Sequence, residues 1–335
     1  MDPSHADPII VEVTRGTLVE SRHRVHGALC DADGRLLAAW GEAEAPVFPR
    51  SAIKPIQAMP LIETGAAERY GLGDAELALA CASHCGAPEH LAVARRWLER
   101  IGLSLADVRC GAQRPLDEDA AAALAREGER PSALHNNCSG KHLGLLTAAR
   151  HRDEPIESYL EPAHPAQRRW RAVLGELAGT DLAEAPSGID GCGIPVLALS
   201  LHALARAIAR FGAPSSLPEA HRSAALRLSR AMAAEPRMVA GAGRLDTLLI
   251  EAMEGQVLAK GGAEGVALVA LRGQGLGLAL KCEDGTKRAT DAALRALVGR
   301  YDEAPRPVLE ELDRRMGVVR NWAGRAVGEI RAVLP

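Results

Sequence analysis

The sequence predicts an α+β protein in which an antiparallel sheet, drawn from both ends of the chain, faces a large helical lobe from its middle. Three observations carry this expectation. Residues 8–42 alternate with the two-residue period of strands. From Ser51 the period turns helical and stays so for about two hundred residues. Strand signals return only after residue 255, so the two ends should meet in one sheet. A single domain over 1–335 follows, with a sheet lobe at 8–50 and 255–335 and a helical lobe at 51–254.

Composition supports this and narrows the function. At 335 residues the chain buries a substantial core, and with 47% apolar but only 3% aromatic residues that core must be mostly Ala, Leu and Val. A net charge of −3 argues against nucleic acid or an anionic membrane as partner. No apolar run approaches the roughly 18 residues of a membrane span. The polar opening at residues 1–7 lacks the plan of a signal peptide. Seven cysteines, an odd number in a large core, fit a reduced cytoplasmic setting better than a disulfide framework.

In chain order, 9–13, 25–30 and 36–40 read as strands, and Asp31-Ala32-Asp33-Gly34 turns the last two into a hairpin. Pro46 and Pro49 break the extended region before Ser51, which stands where a serine caps a helix. The first helix runs from Ile53 to the edge of Gly65. Helices at 74–82 and 88–100 follow, opened by Asp74 as N-cap and by Pro88 in the first turn. Further helical patterns cover 117–126, 142–150, 163–178, 195–210, 220–233 and 244–253. The apolar segments 257–259, 265–271 and 278–282 read as strands, and 289–300 as a final helix.

Several stretches interrupt this periodicity with costly polar residues. In Phe48-Pro49-Arg50-Ser51-Ala52-Ile53-Lys54-Pro55, Lys54 lies one helical turn after Ser51. A desolvated or crowded lysine can take a serine's proton and make it a nucleophile, although a capping serine beside a solvated lysine is the commoner case. Ala80-Cys81-Ala82-Ser83-His84-Cys85-Gly86 runs an apolar helix into a polar cluster, which a helix end with Gly86 after it also explains. His135-Asn136-Asn137-Cys138-Ser139-Gly140-Lys141-His142 carries more polar chemistry than a helix cap needs, and it lacks the spaced glycine of a phosphate loop. In Gly188-Ile189-Asp190-Gly191-Cys192-Gly193-Ile194-Pro195, Asp190 and Cys192 point the same way if the segment is extended. Paired Cys138 and Cys192 thiolates would suit zinc, but no C-x-x-C strengthens the signal and spacing alone places no metal. Ala259-Lys260-Gly261-Gly262 ends a short strand on a lysine followed by glycines. The order Ser-x-x-Lys, a serine in the helical lobe, then a lysine and glycine on a strand is that of penicillin-binding proteins and serine β-lactamases.

Taken together, these motifs resemble the Rhizobium-type L-asparaginases, the asparaginase II family, over roughly 11–282, with the octapeptide at His135–His142 the most specific element. The resemblance implies a serine β-lactamase-like fold and hydrolysis of L-asparagine to L-aspartate and ammonia through an acyl-enzyme. Residue by residue it implies two tandems, Ser51 with Lys54 and Ser83 with Lys260. It also implies zinc on Cys138, Lys141 and Cys192, and a homodimer. Arg50, Asp190, His135 and Asn136 are the expected substrate-binding residues. The β-lactamase Ser-Asp-Asn and Lys-Thr-Gly are absent, replaced by Ser83-His84-Cys85 and Lys260-Gly261-Gly262, so β-lactam chemistry does not follow from the fold. The rival readings are a serine peptidase or esterase of the penicillin-recognising kind and a zinc- or ligand-binding protein without catalysis.

Overall fold

A computed structural model describes residues 7–301 and 305–335, and most of the polar opening read above, residues 1–6, lies outside the described residues. Eight strands form the main sheet: β1 Ile9–Arg15, β2 Leu18–Asp31, β3 Leu36–Trp40, β4 Val257–Gly262, β5 Val266–Leu271, β6 Leu276–Cys282, β7 Val318–Arg320 and β8 Ala326–Val333. Their spatial order is β7-β8-β1-β2-β6-β5-β4, with β3 beside the far half of β2, and neighbours run antiparallel. N- and C-terminal strands therefore share one sheet. The 14-residue β2 joins them: its first half pairs with β1 and its second, from Val25 to Asp31, with β6. After Leu18 its first half exposes Glu20, Arg22 and Arg24, which hid residues 18–24 from the sequence reading.

Helices lie against the sheet and against one another. The amphipathic helix Leu201–Gly212 buries Leu204, Ala205, Ile208 and Phe211 and packs on β2, β5 and β6. Helix Lys287–Tyr301 packs against the sheet with the Val25, Leu278 and Leu280 cluster. In the helical region Ser139–His151 packs on Asp74–Ala80 and Pro88–Arg100. Among the described residues no helix is long and apolar enough to cross a membrane.

Four local expectations are corrected. The helix expected at 195–210 starts only at Leu201; Pro195-Val196-Leu197 pairs instead with Ser187–Ile189, and the Ser200 hydroxyl caps the helix on the Ala203 amide at 3.1 Å. The helix at 289–300 is not the last element: Arg306–Met316, β7 and β8 follow it, and β8 pairs with β1 from Ile10↔Val333 to Val13↔Ile330. Pro55 and Pro60 divide the first helix into the short pieces Lys54–Gln57 and Met59–Glu63. Ser51 is not a cap, because Arg50–Ile53 is a 3₁₀ turn with Pro49 at its N-cap and no side-chain capping bond.

One close approach sets the position of the polar octapeptide. A Cβ on Gly140 would lie 2.0 Å from the Leu79 carbonyl oxygen, so only glycine lets helix Ser139–His151 touch the backbone of Asp74–Ala80. That contact brings Asn137 beside the segment that follows Ala80. Gly140→Ala should therefore destabilise the protein by about 1–3 kcal/mol or more through overpacking. Gly144→Ala, whose new methyl meets nothing nearer than 3.7 Å, should be neutral or stabilising. Equal urea midpoints for the two variants would refute this account of the helix contact.

Candidate active site

Three backbone segments converge on a cavity of about 220 Å³: the Arg50–Ile53 turn, the chain after helix Asp74–Ala80, and the end of β4. Ser51, Ser83, Asn137 and Lys260 line it. The approach of β4 to the turn depends on Gly262, where a Cβ would stand 2.9 Å from the Pro49 carbonyl oxygen and 3.3 Å from the Ser51 amide. Immediately before Ser51, Arg50 holds the left-handed φ of 50°, a strained conformation for a non-glycine residue. Its guanidinium is tied to Asp190 at 2.7 Å.

Lys54 is fully buried beneath the cavity. Its amine donates to the Ala82 carbonyl at 2.7 Å, the Ser83 hydroxyl at 3.0 Å and the Asn137 carbonyl at 3.2 Å. Burial pushes its pKa down; Cys138 opposes that and Lys141 reinforces it. The hydrogen bond thus joins Lys54 to Ser83, where the tandem expected by resemblance was Ser51 with Lys54. The reason is local: the side chain turns inward to three acceptors, while Ser51 faces the cavity without a side-chain hydrogen bond among the described residues.

Lys260 is also buried, and burial brings its pKa down to about 8, with Asp246 working against the shift and Lys54 adding to it. Its amine donates to the Gly261 carbonyl at 2.6 Å and faces Asp246 at 3.5 Å. The Asp246 carboxylate also accepts the Gly261 amide at 2.9 Å. Burial tends to raise Asp246, but Lys260, Lys287 and that amide hold it below its ordinary range.

Cys138, Lys141 and Cys192 come together on the far side of Lys54. The Lys141 amine contacts the Cys192 sulfur at 3.0 Å, and Asp190 lies 3.9 Å from the same sulfur. The Cys138 thiol donates to the Asn137 side-chain oxygen at 3.1 Å, and its interaction with Cys192 holds Cys138 below its usual range and Cys192 above. Burial alone would lower Lys141, but the two sulfurs and Asp190 raise it. The two sulfurs are donors zinc accepts, and the Lys141 amine could join them only after giving up the proton that the sulfurs and Asp190 hold on it; on that condition these residues fit the metal that the resemblance implies. Among the described residues no group of three His, Cys, Asp or Glu is placed to hold one, so such a site depends on Lys141.

The other expected residues do different work. His135 Nδ1 accepts the Ser132 amide at 2.9 Å. Asn136 donates to the Cys110 and Gly111 carbonyls at 2.9 and 3.1 Å and accepts the Cys138 amide at 2.9 Å. Both side chains brace the loop, and neither lines the cavity, where Asn137 stands instead. His84 is buried and bonded to the Gly86 amide and the Ser139 hydroxyl, and burial first, then His90, Lys54 and His135, push its pKa down. Sequence reasoning missed Asp246, Arg244, Glu264 and Lys287 in the cavity wall. Asp246 left one signal, an acid set beside Leu245, Leu248, Leu249 and Ile250 on a largely apolar helix.

An antiparallel sheet and a helical region thus meet at a cavity where a serine and a lysine are in contact, the α+β architecture expected of this chain. Residues 11–332 match the L-asparaginase II family, and the chain belongs to it. No curated protein matches the sequence. Similar solved structures include Mglu in its native form, 16% identical with a TM-score of 0.44 over 83% of this chain and 64% of that one. Mglu in its tris and glutamate form gives 16% and 0.44 over 89% and 63%. A candidate beta-lactamase from Bacteroides dorei DSM 17855 gives 12% and 0.38 over 94% and 95%. The chain spans less than two thirds of the Mglu chains. Superpositions this loose carry no argument about the site.

Asp246 is the charge that keeps Lys260 from losing its proton still more readily. Asp246→Asn removes that support, so the Lys260 pKa should fall below about 8. Carbon-13 NMR of the labelled lysine methylene would follow it, and an unchanged or higher midpoint would sink the assignment.

Proposed function

We propose that the protein hydrolyses the side-chain amide of L-asparagine, giving L-aspartate and ammonia through an acyl-enzyme. The observation that carries the reading is the 3.0 Å contact of buried Lys54 with Ser83 at a cavity that Ser51 and Lys260 also line, in a chain of this family. Burial favours a neutral Lys54 amine, the form a general base needs. Ser51 Oγ attacks the amide carbon, and its proton passes to Lys54 through the Ser83 hydroxyl. As the carbon–nitrogen bond breaks, the departing amide nitrogen takes a proton from this Ser83–Lys54 relay and leaves as ammonia. Water then attacks the aspartyl ester, gives its proton to the same relay, and returns Ser51 with its own. Lys260, poised near neutrality, supplies positive charge or accepts a proton beside the reacting carbonyl.

Cys138, Lys141 and Cys192 would hold a zinc ion, which when bound would supply a Lewis-acidic centre near Asp190. The acyl transfer needs only the serines and lysines. Chelation should accordingly raise KM more than it lowers kcat, and elemental analysis of protein purified without added metal checks occupancy. Complete loss of kcat on chelation, with the fold preserved, would refute this division of labour.

The same hydrogen bond favours a second reading, in which Ser83 is the nucleophile and Lys54 its direct base. Ser51→Ala separates the two: it should abolish ammonia release at little cost to the fold, since Ser51 makes no capping bond. Activity above a few per cent in that variant would move the nucleophile to Ser83. Ammonia release from asparagine and glutamine, beside hydrolysis of a simple ester, separates the amidase from a peptidase or esterase and from a non-catalytic binding protein. No turnover of any of the three by the wild type would end the reading.

A further inference from the structure

Five charged side chains line the cavity, and three are already matched. Lys260 and Asp246 face one another, and Lys287 is bound to Asp291 at 2.6 Å. Arg244 and Glu264 differ: among the described residues neither side chain has a hydrogen bond or ion pair, although both line the cavity. Arg50 and Asp190, expected to orient the substrate, neutralise each other at 2.7 Å, and neither reaches the cavity wall. Among the described residues, the cavity charges without a hydrogen bond or ion pair are thus one cation and one anion.

Their settings suit a ligand. Arg244 is half-buried at the head of helix Leu245–Ala252, two residues before Asp246, and its charge is felt at Lys260. A guanidinium there offers the planar fork that binds a carboxylate through two bonds. Glu264 sits in the turn between β4 and β5 at the left-handed φ of 61°, strained for a residue with a side chain. Its side chain is exposed to solvent at the edge of the cavity.

We propose that Arg244 binds the α-carboxylate and Glu264 the α-ammonium of the substrate, so that the cavity selects free α-amino acids over blocked or peptide-borne amides. This rests on the amidase reading and adds to it the two residues that hold the ends of the substrate. The two residues are specificity determinants: they hold the ends of the molecule that do not react and leave the amide to the serines and lysines.

The test compares L-asparagine, its methyl ester and N-acetyl-L-asparagine, the last two lacking the anion and the cation in turn. Arg244→Gln should lower kcat/KM for asparagine by about thirtyfold, mostly through KM, and for the methyl ester by less than about threefold. Arg244→Lys should recover part of the loss. Glu264→Gln, on an exposed turn and expected to fold normally, should cost asparagine about tenfold and N-acetyl-asparagine far less. Equal losses on all three substrates overturn the proposal. So does an unchanged KM with a displaced pH profile, which would mean that Arg244 acts only on Lys260. Calorimetry with L-aspartate separates this inference from the amidase reading. If the wild type releases no ammonia but binds aspartate, and Arg244→Gln weakens that binding, the reaction assignment fails and the amino-acid site stands. Absent or unaltered binding removes the site as well.

Discussion

The site depends on a lysine taken out of water. Lys54 is buried, and its charged form is tolerated only as far as two carbonyls, a hydroxyl and a nearby thiolate compensate for lost solvation. Those same acceptors fix the amine in one place. Burial thus performs two tasks at once: it favours the neutral base, and it prevents a long side chain from wandering. Around it the protein arranges further charge in opposed pairs, Lys260 with Asp246 and Arg50 with Asp190, so that few cations are left to repel it.

Glycine supplies the proximity these interactions need. Gly140 lets two helices meet backbone to backbone, and Gly262 lets a strand close on the Ser51 turn. Neither residue touches the chemistry, yet each removes a side chain that would hold the reactive groups apart. The polar octapeptide is accordingly mixed in purpose. Cys138 and Lys141 join the sulfur–amine cluster and Asn137 reaches the cavity, whereas His135 and Asn136 spend their hydrogen bonds on the loop itself.

Much of the fold was legible because it follows periodicity. The alternation before Trp40, the helical run after Ser51 and the apolar strands from Val257 to Cys282 place the sheet and the helices where they occur. β8 was not legible, since an exposed strand such as Ala326–Val333 offers little contrast between its faces. For the site, motif order and the family resemblance marked Ser51, Lys54, Ser83 and Lys260 as partners for chemistry, but contact depends on which way a side chain turns. Lys54 points to Ser83 through three acceptors distant in sequence, and no spacing rule encodes that. Arg244 and Glu264 were invisible for a related reason: an unpaired charge is recognisable only when its neighbours are known.

The order of strands has a kinetic side. The turn that carries Ser51 belongs to the first sixth of the chain, and β4, which carries Lys260, reaches the sheet only through β5 and β6 to β2. Pairings this distant in sequence close slowly, because loop entropy is lost before any contact repays it. Helical structure in the middle of the chain needs none of them. A chain gaining its structure would therefore show its helices well before its two buried lysines share a cavity, and the completed site would be a late report on the whole fold.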